Sequence, residues 1–299
     1  MIKHFIDIDQ FSKKQIDKFV SSAQSIKKNP LKYKNLFKNK TLGLLFLKKS
    51  TRTRLSFFVG FQKLGGNVIE LDSKAIGFGK RESNKDIIKI ISQYIDCLMI
   101  RNNDHKKILD YAALNYIPII NGLSDFSHPC QVLGDFLTLK EKIGNNNDIK
   151  VCWIGDYNNV LRSLIQIQKL YSFKLNIVLP KEIIRINNKS ITKIANKNLK
   201  ITYIIDEGIK DINCIMTDAW LSMGEKDIKK KKYFTKYQIN KKLLSNAGKN
   251  TLFMHCLPAT RGEEVTSEVL DGTQSIVWEQ AKNRIFAQQA ILKYIIEKK

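Results

Sequence analysis

No stretch of this sequence approaches the roughly 20 consecutive apolar residues that a bilayer-crossing helix requires, which excludes a helical membrane span. The opening residues, Met1-Ile2-Lys3-His4-Phe5-Ile6-Asp7, carry no apolar segment of the secretory type. A cytoplasmic location is therefore expected, with no membrane partner. Cysteine is sparse and unpaired in pattern: Cys97, Cys130, Cys152, Cys214 and Cys256 are five, with no Cys-x-x-Cys spacing. That argues against a disulfide framework and against a zinc site, and no metal is expected. A Gly-x-Gly-x-x-Gly fingerprint is also missing. The nearest match, Gly155-Asp156-Tyr157-Asn158-Asn159, lacks the later glycines. Acidic residues are scarce, 28 against 51 lysines and arginines, for a net charge of +23. Such a charge suggests a nucleic-acid partner. Against that, the lysines are dispersed, and the one dense run, at 229–232, lacks interleaved aromatics. The favoured reading is a solvated cationic surface, which draws anionic small substrates, and no nucleic-acid partner.

What is present is an alternation. With 299 residues the length fits about two domains. Apolar runs at 41–47, 67–71, 97–100 and 117–120 read as strands. Helical periodicity marks 12–29, 55–64, 83–94, 105–114 and 128–142. Residues 121–127 read as a loop. After the linker-like Gly144-Asn145-Asn146-Asn147-Asp148 the alternation restarts, with strands at 151–154, 175–179, 201–205, 214–217 and 252–254, a helix at 160–171 and a last helix at 278–297. Strands alternating with helices on both sides of a linker predict an α/β fold of two doubly wound parallel-sheet αβα domains. Ligands of such sheets bind at the carboxyl ends of strands.

The polar residues at those ends carry the chemistry. Ser50-Thr51-Arg52-Thr53-Arg54 lies between a strand and a helix, so hydroxyls and guanidiniums gather where the helix offers unpaired N–H groups and positive dipole. A phosphate or carboxylate cradle and a plain Ser N-cap with solvated arginines fit this equally. Arg101 ends a strand and can meet an anion, as can any surface arginine. His128-Pro129-Cys130-Gln131 opens a helix. Neutral His128 can donate to a carbonyl oxygen and Gln131 can contact an amide, although a proline-containing first turn accounts for most of the motif. Asp218-Ala219-Trp220-Leu221-Ser222-Met223-Gly224 gathers a carboxylate, a hydroxyl and a thioether in one loop, able to hold an ammonium or simply to turn. In His255-Cys256-Leu257-Pro258 the thiol reads as a nucleophile, a positioned polar contact or an inert strand end. Pro258 is a candidate for a cis bond.

Taken in order, Ser-Thr-Arg-Thr-Arg, His-Pro-x-Gln and a late Leu-Pro resemble the carbamoyltransferase family, over nearly the whole chain from Ser50 to Pro258. Asp218-x-x-x-Ser222-Met223-Gly224 and His255-Cys256-Leu257-Pro258 resemble its ornithine branch. The resemblance implies two αβα domains. The first, 1–143, would bind carbamoyl phosphate and be completed by a C-terminal helix, 278–299, that returns to it; the second, 144–277, would bind ornithine. It implies that Ser50, Thr51, Arg52 and Thr53 hold the phosphate of carbamoyl phosphate, and that Arg101 bridges phosphate and carbonyl oxygen. His128 and Thr53 would donate to that oxygen, Gln131 would contact the carbamoyl amide, and Arg284 would come from the last helix to the same site. Asn159, Asp218, Ser222 and Met223 would hold L-ornithine, with Cys256 and Leu257 between the substrates. Arg101, His128, Asp218 and Cys256 would be the catalytic set, Cys256 without a covalent intermediate. Neither metal nor organic cofactor is implied, and a homotrimer with shared active sites is.

Two positions depart from the family pattern. Gly77 stands where the family usually carries a glutamine that reaches a neighbouring subunit, and Lys80 or Arg81 is expected to supply charge there. Arg162 stands where a histidine is common. The alternatives within reach are a carbamoyltransferase for putrescine or an acylated ornithine, and a basic nucleic-acid-binding protein that kept an old fold.

Overall fold

The computed structural model describes residues 2–48, 50–77, 82–194, 196–221 and 228–297. Their backbone divides into two compact units, Met1–Leu137 with Asn283–Lys299, and Thr138–Lys282.

The first unit is built on β1 (Thr41–Phe46), β2 (Asn67–Leu71), β3 (Cys97–Arg101) and β4 (Ile119–Leu123), all parallel in the order β2-β1-β3-β4. β1 and β3 are the unbroken apolar runs, and every residue of β3 is buried, as strands covered on both faces require. β2, at the edge, alternates less cleanly and exposes Asn67, Ile69 and Glu70. Capped helices follow β1, β2 and β3. Ser50 caps Thr51–Gln62, Ser83 caps Asn84–Tyr94 and Asp104 caps His105–Ala113, each accepting a first-turn N–H.

The second unit carries β5 (Lys150–Ile154), β6 (Lys174–Val178), β7 (Leu199–Thr202), β8 (Cys214–Thr217) and β9 (Leu252–His255), parallel in the order β7-β6-β5-β8-β9. Cys152, Ile154, Val178, Ile215, Phe253 and Val277 are among the side chains of its core. The expected fold of two parallel αβα sheets is what the chain adopts.

Local boundaries differ from the sequence reading where polar residues are satisfied inside. β4 begins two residues later and ends three residues later than expected, at Leu123, and so includes Asn121, whose amide nitrogen donates to Ile6 O at 3.0 Å and Ser127 Oγ at 3.1 Å. β7 begins at Leu199 and ends at Thr202, not 201–205. Thr202 Oγ1 accepts the Ile204 N–H, Tyr203 and Ile204 are exposed, and Ile205 opens a short helix instead. Asp72 caps a one-turn helix, Ser73–Ile76, directly after β2.

Two glycines set how closely the last helix, Val277–Ile296, packs in the first unit. At Gly60 a Cβ would meet Ile285 Cγ2 at 3.4 Å, and Gln289 Nε2 donates to the Gly60 carbonyl at 2.7 Å. At Gly134 a Cβ would meet Arg284 Cγ at 3.2 Å and Cα at 3.3 Å. The helices Thr51–Gln62 and Pro129–Lys142 thereby hold the segment that carries Arg284.

Candidate active site

In the first unit the helix Thr51–Gln62 begins beside the carboxyl end of β1. Ser50 Oγ accepts the Thr53 N–H at 3.3 Å. Arg101, at the end of β3, donates from Nη1 to Ser50 Oγ at 2.9 Å and Thr53 Oγ1 at 3.3 Å. Arg284 donates from Nη2 to the same Thr53 hydroxyl at 2.9 Å. Arg101 and Arg284 are 5% and 3% exposed, so two guanidiniums meet one hydroxyl out of bulk water. Burial, and then the charges of Arg284 and Arg52, bring Arg101 down to about 10. Three like charges held this close are stabilised by an anion that offsets their repulsion. Thr51 is exposed and Arg52 half-buried in the first turn. Arg54 turns aside to pair with Glu70 at 2.8 Å and lie over the Phe46 ring.

His128 precedes the helix Pro129–Lys142, and its carbonyl accepts the Gln131 and Val132 N–H groups. Its imidazole is buried. Burial first, then the positive Arg284 and Arg101, hold it well below the usual 6.5, so it is neutral near pH 7. One turn on, Gln131 Nε2 donates to Asp135 Oδ1 at 2.8 Å, both side chains being buried. This fixes the amide with Oε1 as its accepting atom.

In the second unit Asn158 caps the helix Asn159–Tyr171, its Oδ1 accepting the Val160 and Leu161 N–H groups. Its Nδ2 donates to Asp218 Oδ2 at 2.8 Å, while Asp218 Oδ1 accepts the Ala219 N–H at 2.8 Å. Asn159, the first helical residue, is half-buried. Asp218, His255 and Cys256 each place one polar atom within 4.8 Å of the others. His255 is already engaged at both ring nitrogens, by the Leu257 N–H and by Glu264. A metal ion would have to displace one of these bonds. Leu257 is left-handed, φ 53°, and its bond to Pro258 is cis.

Residues 3–141 match the family described as Aspartate/ornithine carbamoyltransferase, carbamoyl-P binding domain, and residues 147–295 match its Asp/Orn binding domain. The chain belongs to the aspartate/ornithine carbamoyltransferase family. It is similar to the ornithine carbamoyltransferase of Ruthia magnifica, 39% identical over 300 residues that cover 99% of this chain and 100% of the relative. The ornithine carbamoyltransferase of Methanococcus aeolicus is 38% identical with the same coverage. Among solved structures, ornithine carbamoyltransferase from Thermus thermophilus superposes with a TM-score of 0.88 at 32% identity, covering 99% of this chain and 100% of that one. Anabolic ornithine carbamoyltransferase from Campylobacter jejuni does so at 0.88 and 36% identity, covering 98% and 99%.

Of the residues that the carbamoyltransferase resemblance singled out, the first unit brings Ser50, Thr53, Arg101 and Arg284 into one hydrogen-bonded group, with the charges of Arg101 and Arg284 acting on His128. The second unit gathers Asp218 and Cys256. Ser222, Met223, Lys80 and Arg81 lie outside the described residues. Gly77 ends the helix Ser73–Ile76 in a left-handed conformation, φ 65°, where glutamine would be strained. Arg162 lies over the Tyr157 ring at 5.1 Å, which gives this departure a packing partner. Asp135, Asn158 and Glu264 were missed. Asp135 follows Gln131 by four residues on one helix, a legible pairing, and Asn158 stands at an N-cap. Glu264 has no local signal linking it to His255.

Proposed function

We propose that this protein transfers the carbamoyl group of carbamoyl phosphate to the δ-amine of L-ornithine, giving L-citrulline and phosphate. The observation that carries the proposal is the convergence of Arg101 and Arg284 on the Thr53 hydroxyl beside a neutral His128. A phosphoryl dianion offsets the arginine charges, with Ser50, Thr51, Arg52 and Thr53 at the helix N-terminus as further donors. Arg101, His128 and Thr53 serve as donors to the carbonyl oxygen, and Gln131 Oε1 accepts from the carbamoyl NH₂.

The neutral δ-amine attacks the carbamoyl carbon. The C–N bond forms, negative charge develops on the carbonyl oxygen, and its collapse breaks the C–O bond to phosphate, which departs with the proton that the attacking nitrogen gives up. Donors already in place for that charge need no reorganisation as it develops, and each is typically worth about 10²–10³ in rate. Asp218, braced by Asn158, holds the ornithine amine with Asn159, Ser222 and Met223. Cys256 and Leu257 line the approach, and the thiol forms no covalent bond.

The same reading extends to arginine biosynthesis or a urea-cycle type step in the cytoplasm, and to a homotrimer of this 34.5 kDa chain. Light scattering on the purified protein tests the trimer. Citrulline-type product formation with ornithine, putrescine and N-acetylornithine tests the chemistry. Turnover is expected with ornithine; faster turnover with another amine, or none with any, overturns the assignment.

A further inference from the structure

The carboxyl end of β9 holds a buried pair that the proposed chemistry does not use. His255 and Glu264 are 1% and 0% exposed. The imidazole Nδ1 accepts the Leu257 N–H at 2.8 Å, so the ring proton sits on Nε2, 3.1 Å from Glu264 Oε1. The same carboxylate oxygen accepts the Thr260 N–H at 2.5 Å, and Oε2 is buried with no hydrogen-bond partner. The His255 backbone N–H donates to Gln280 Oε1 at 2.9 Å, anchoring the ring's own residue to the last helix's first turn. A carboxylate this buried is costly. Leu257 adds to that cost: at φ 53° a residue with a Cβ is disfavoured. A segment so constrained is held where it is by its surroundings.

We propose that His255 and Glu264 are positioning residues that fix the Cys256–Leu257 segment for carbamoyl transfer. The inference rests on the carbamoyltransferase reading and deepens it. Glu264 sets the imidazole's tautomer and rotation, and Nδ1 then holds the Leu257 N–H in the left-handed conformation. Cys256, between the two, is thereby kept within 4.8 Å of the Asp218 carboxylate. Both ring nitrogens are spent inside the protein, so the imidazole orients and does not shuttle protons. Misplacing reacting groups by about 1 Å costs on the order of 10²-fold in rate, which sets the expected effect.

Asparagine and glutamine separate the two bonds. Asn places an acceptor where Nδ1 lies, whereas Gln places a donor where Nε2 lies and leaves the Leu257 N–H without its acceptor. Three variants are compared with wild type: Glu264→Gln, His255→Gln, and His255→Asn in the Glu264→Gln background, so that no buried carboxylate loses its donor. Citrulline kcat and the labelling rate of Cys256 by a thiol reagent, mapped by mass spectrometry, are measured on folded protein. His255→Gln is expected to lower kcat about 10²-fold and to speed Cys256 labelling, with KM for carbamoyl phosphate unchanged. Glu264→Gln and His255→Asn/Glu264→Gln are expected to keep most of the wild-type kcat and its slow labelling. His255→Gln with wild-type kcat and labelling overturns the proposal, as does an Asn double variant that falls as far as the Gln variant. Labelling reads the pair even if wild type makes no citrulline. That outcome overturns the carbamoyltransferase reading, and the expected labelling order alone would then uphold the hold on Cys256–Leu257.

Discussion

Arg284 Nη2 donates to Thr53 Oγ1 at 2.9 Å across 231 residues of sequence. The last helix thus supplies a cation to the first turn of the helix that follows β1, in the same unit. Removing it leaves Arg101 as the buried guanidinium on Thr53. Arg284→Ala is expected to raise KM for carbamoyl phosphate and to lower kcat/KM about 10²–10³-fold, the loss typical of one preorganised donor, while KM for ornithine stays close to wild type. Steady-state kinetics with each substrate varied in turn checks this; equal loss for both substrates would count against the assignment.

Asp135 acts on Gln131. Leucine at 135 removes the acceptor of the Gln131 amide proton, whereas asparagine keeps one. Asp135→Leu is expected to lower kcat about tenfold or more, a hydrogen bond to a charged group being worth about 1.5–3 kcal/mol. Asp135→Asn should recover most of it. Equal activity in the two variants would remove Asp135 from the mechanism.

Asn158 has two tasks, capping a helix and bracing Asp218, and serine keeps only the first. Asn158→Ser is expected to leave Tm nearly unchanged, since serine is a good N-cap. KM for ornithine should rise several-fold with KM for carbamoyl phosphate unaltered. A variant that melts early but binds ornithine normally would show that the cap alone matters.

His128 gives a pH dependence of known sign. Its imidazole is held well below 6.5 when folded, so below about pH 6.5 the unfolded chain binds the proton more readily. Stability is then lost as pH falls from there toward the folded value. His4 and His105, both lowered chiefly by burial, act in the same direction. Tm of the ligand-free protein is expected to fall below about pH 6.5, and His128→Gln should make that fall shallower. An unchanged slope in the variant would mean that His128 does not carry it.

The elements were legible because their signals are local. The unbroken run in β1, the periodicity of Lys13–Lys28 and the Ser, Asn and Asp caps each follow from neighbouring residues. The misplaced ends of β4 and β7 came from the same locality. A buried asparagine looked like loop until Ile6 and Ser127 were there to satisfy it, and Tyr203-Ile204 looked like strand until they were seen exposed. In the site, Ser50, Arg101 and His128 stood out as polar residues at strand ends. Arg284 and Leu257 were reached through resemblance alone, since nothing beside them in sequence marks them.

The sequence by itself determined the alternation of buried strands and capped helices, the residue types offered at strand ends, and the family. Only the tertiary structure decided which of those groups touch. Arg54 and Arg52 are two residues apart, yet Arg54 pairs with Glu70 on β2, while the charge of Arg52 acts on Arg101. His255 finds Glu264, and Gly134 admits Arg284. The physical reason is that helix and strand formation depend on residues a few positions apart. A hydrogen bond between distant side chains depends on strand order and helix packing, which no local pattern encodes.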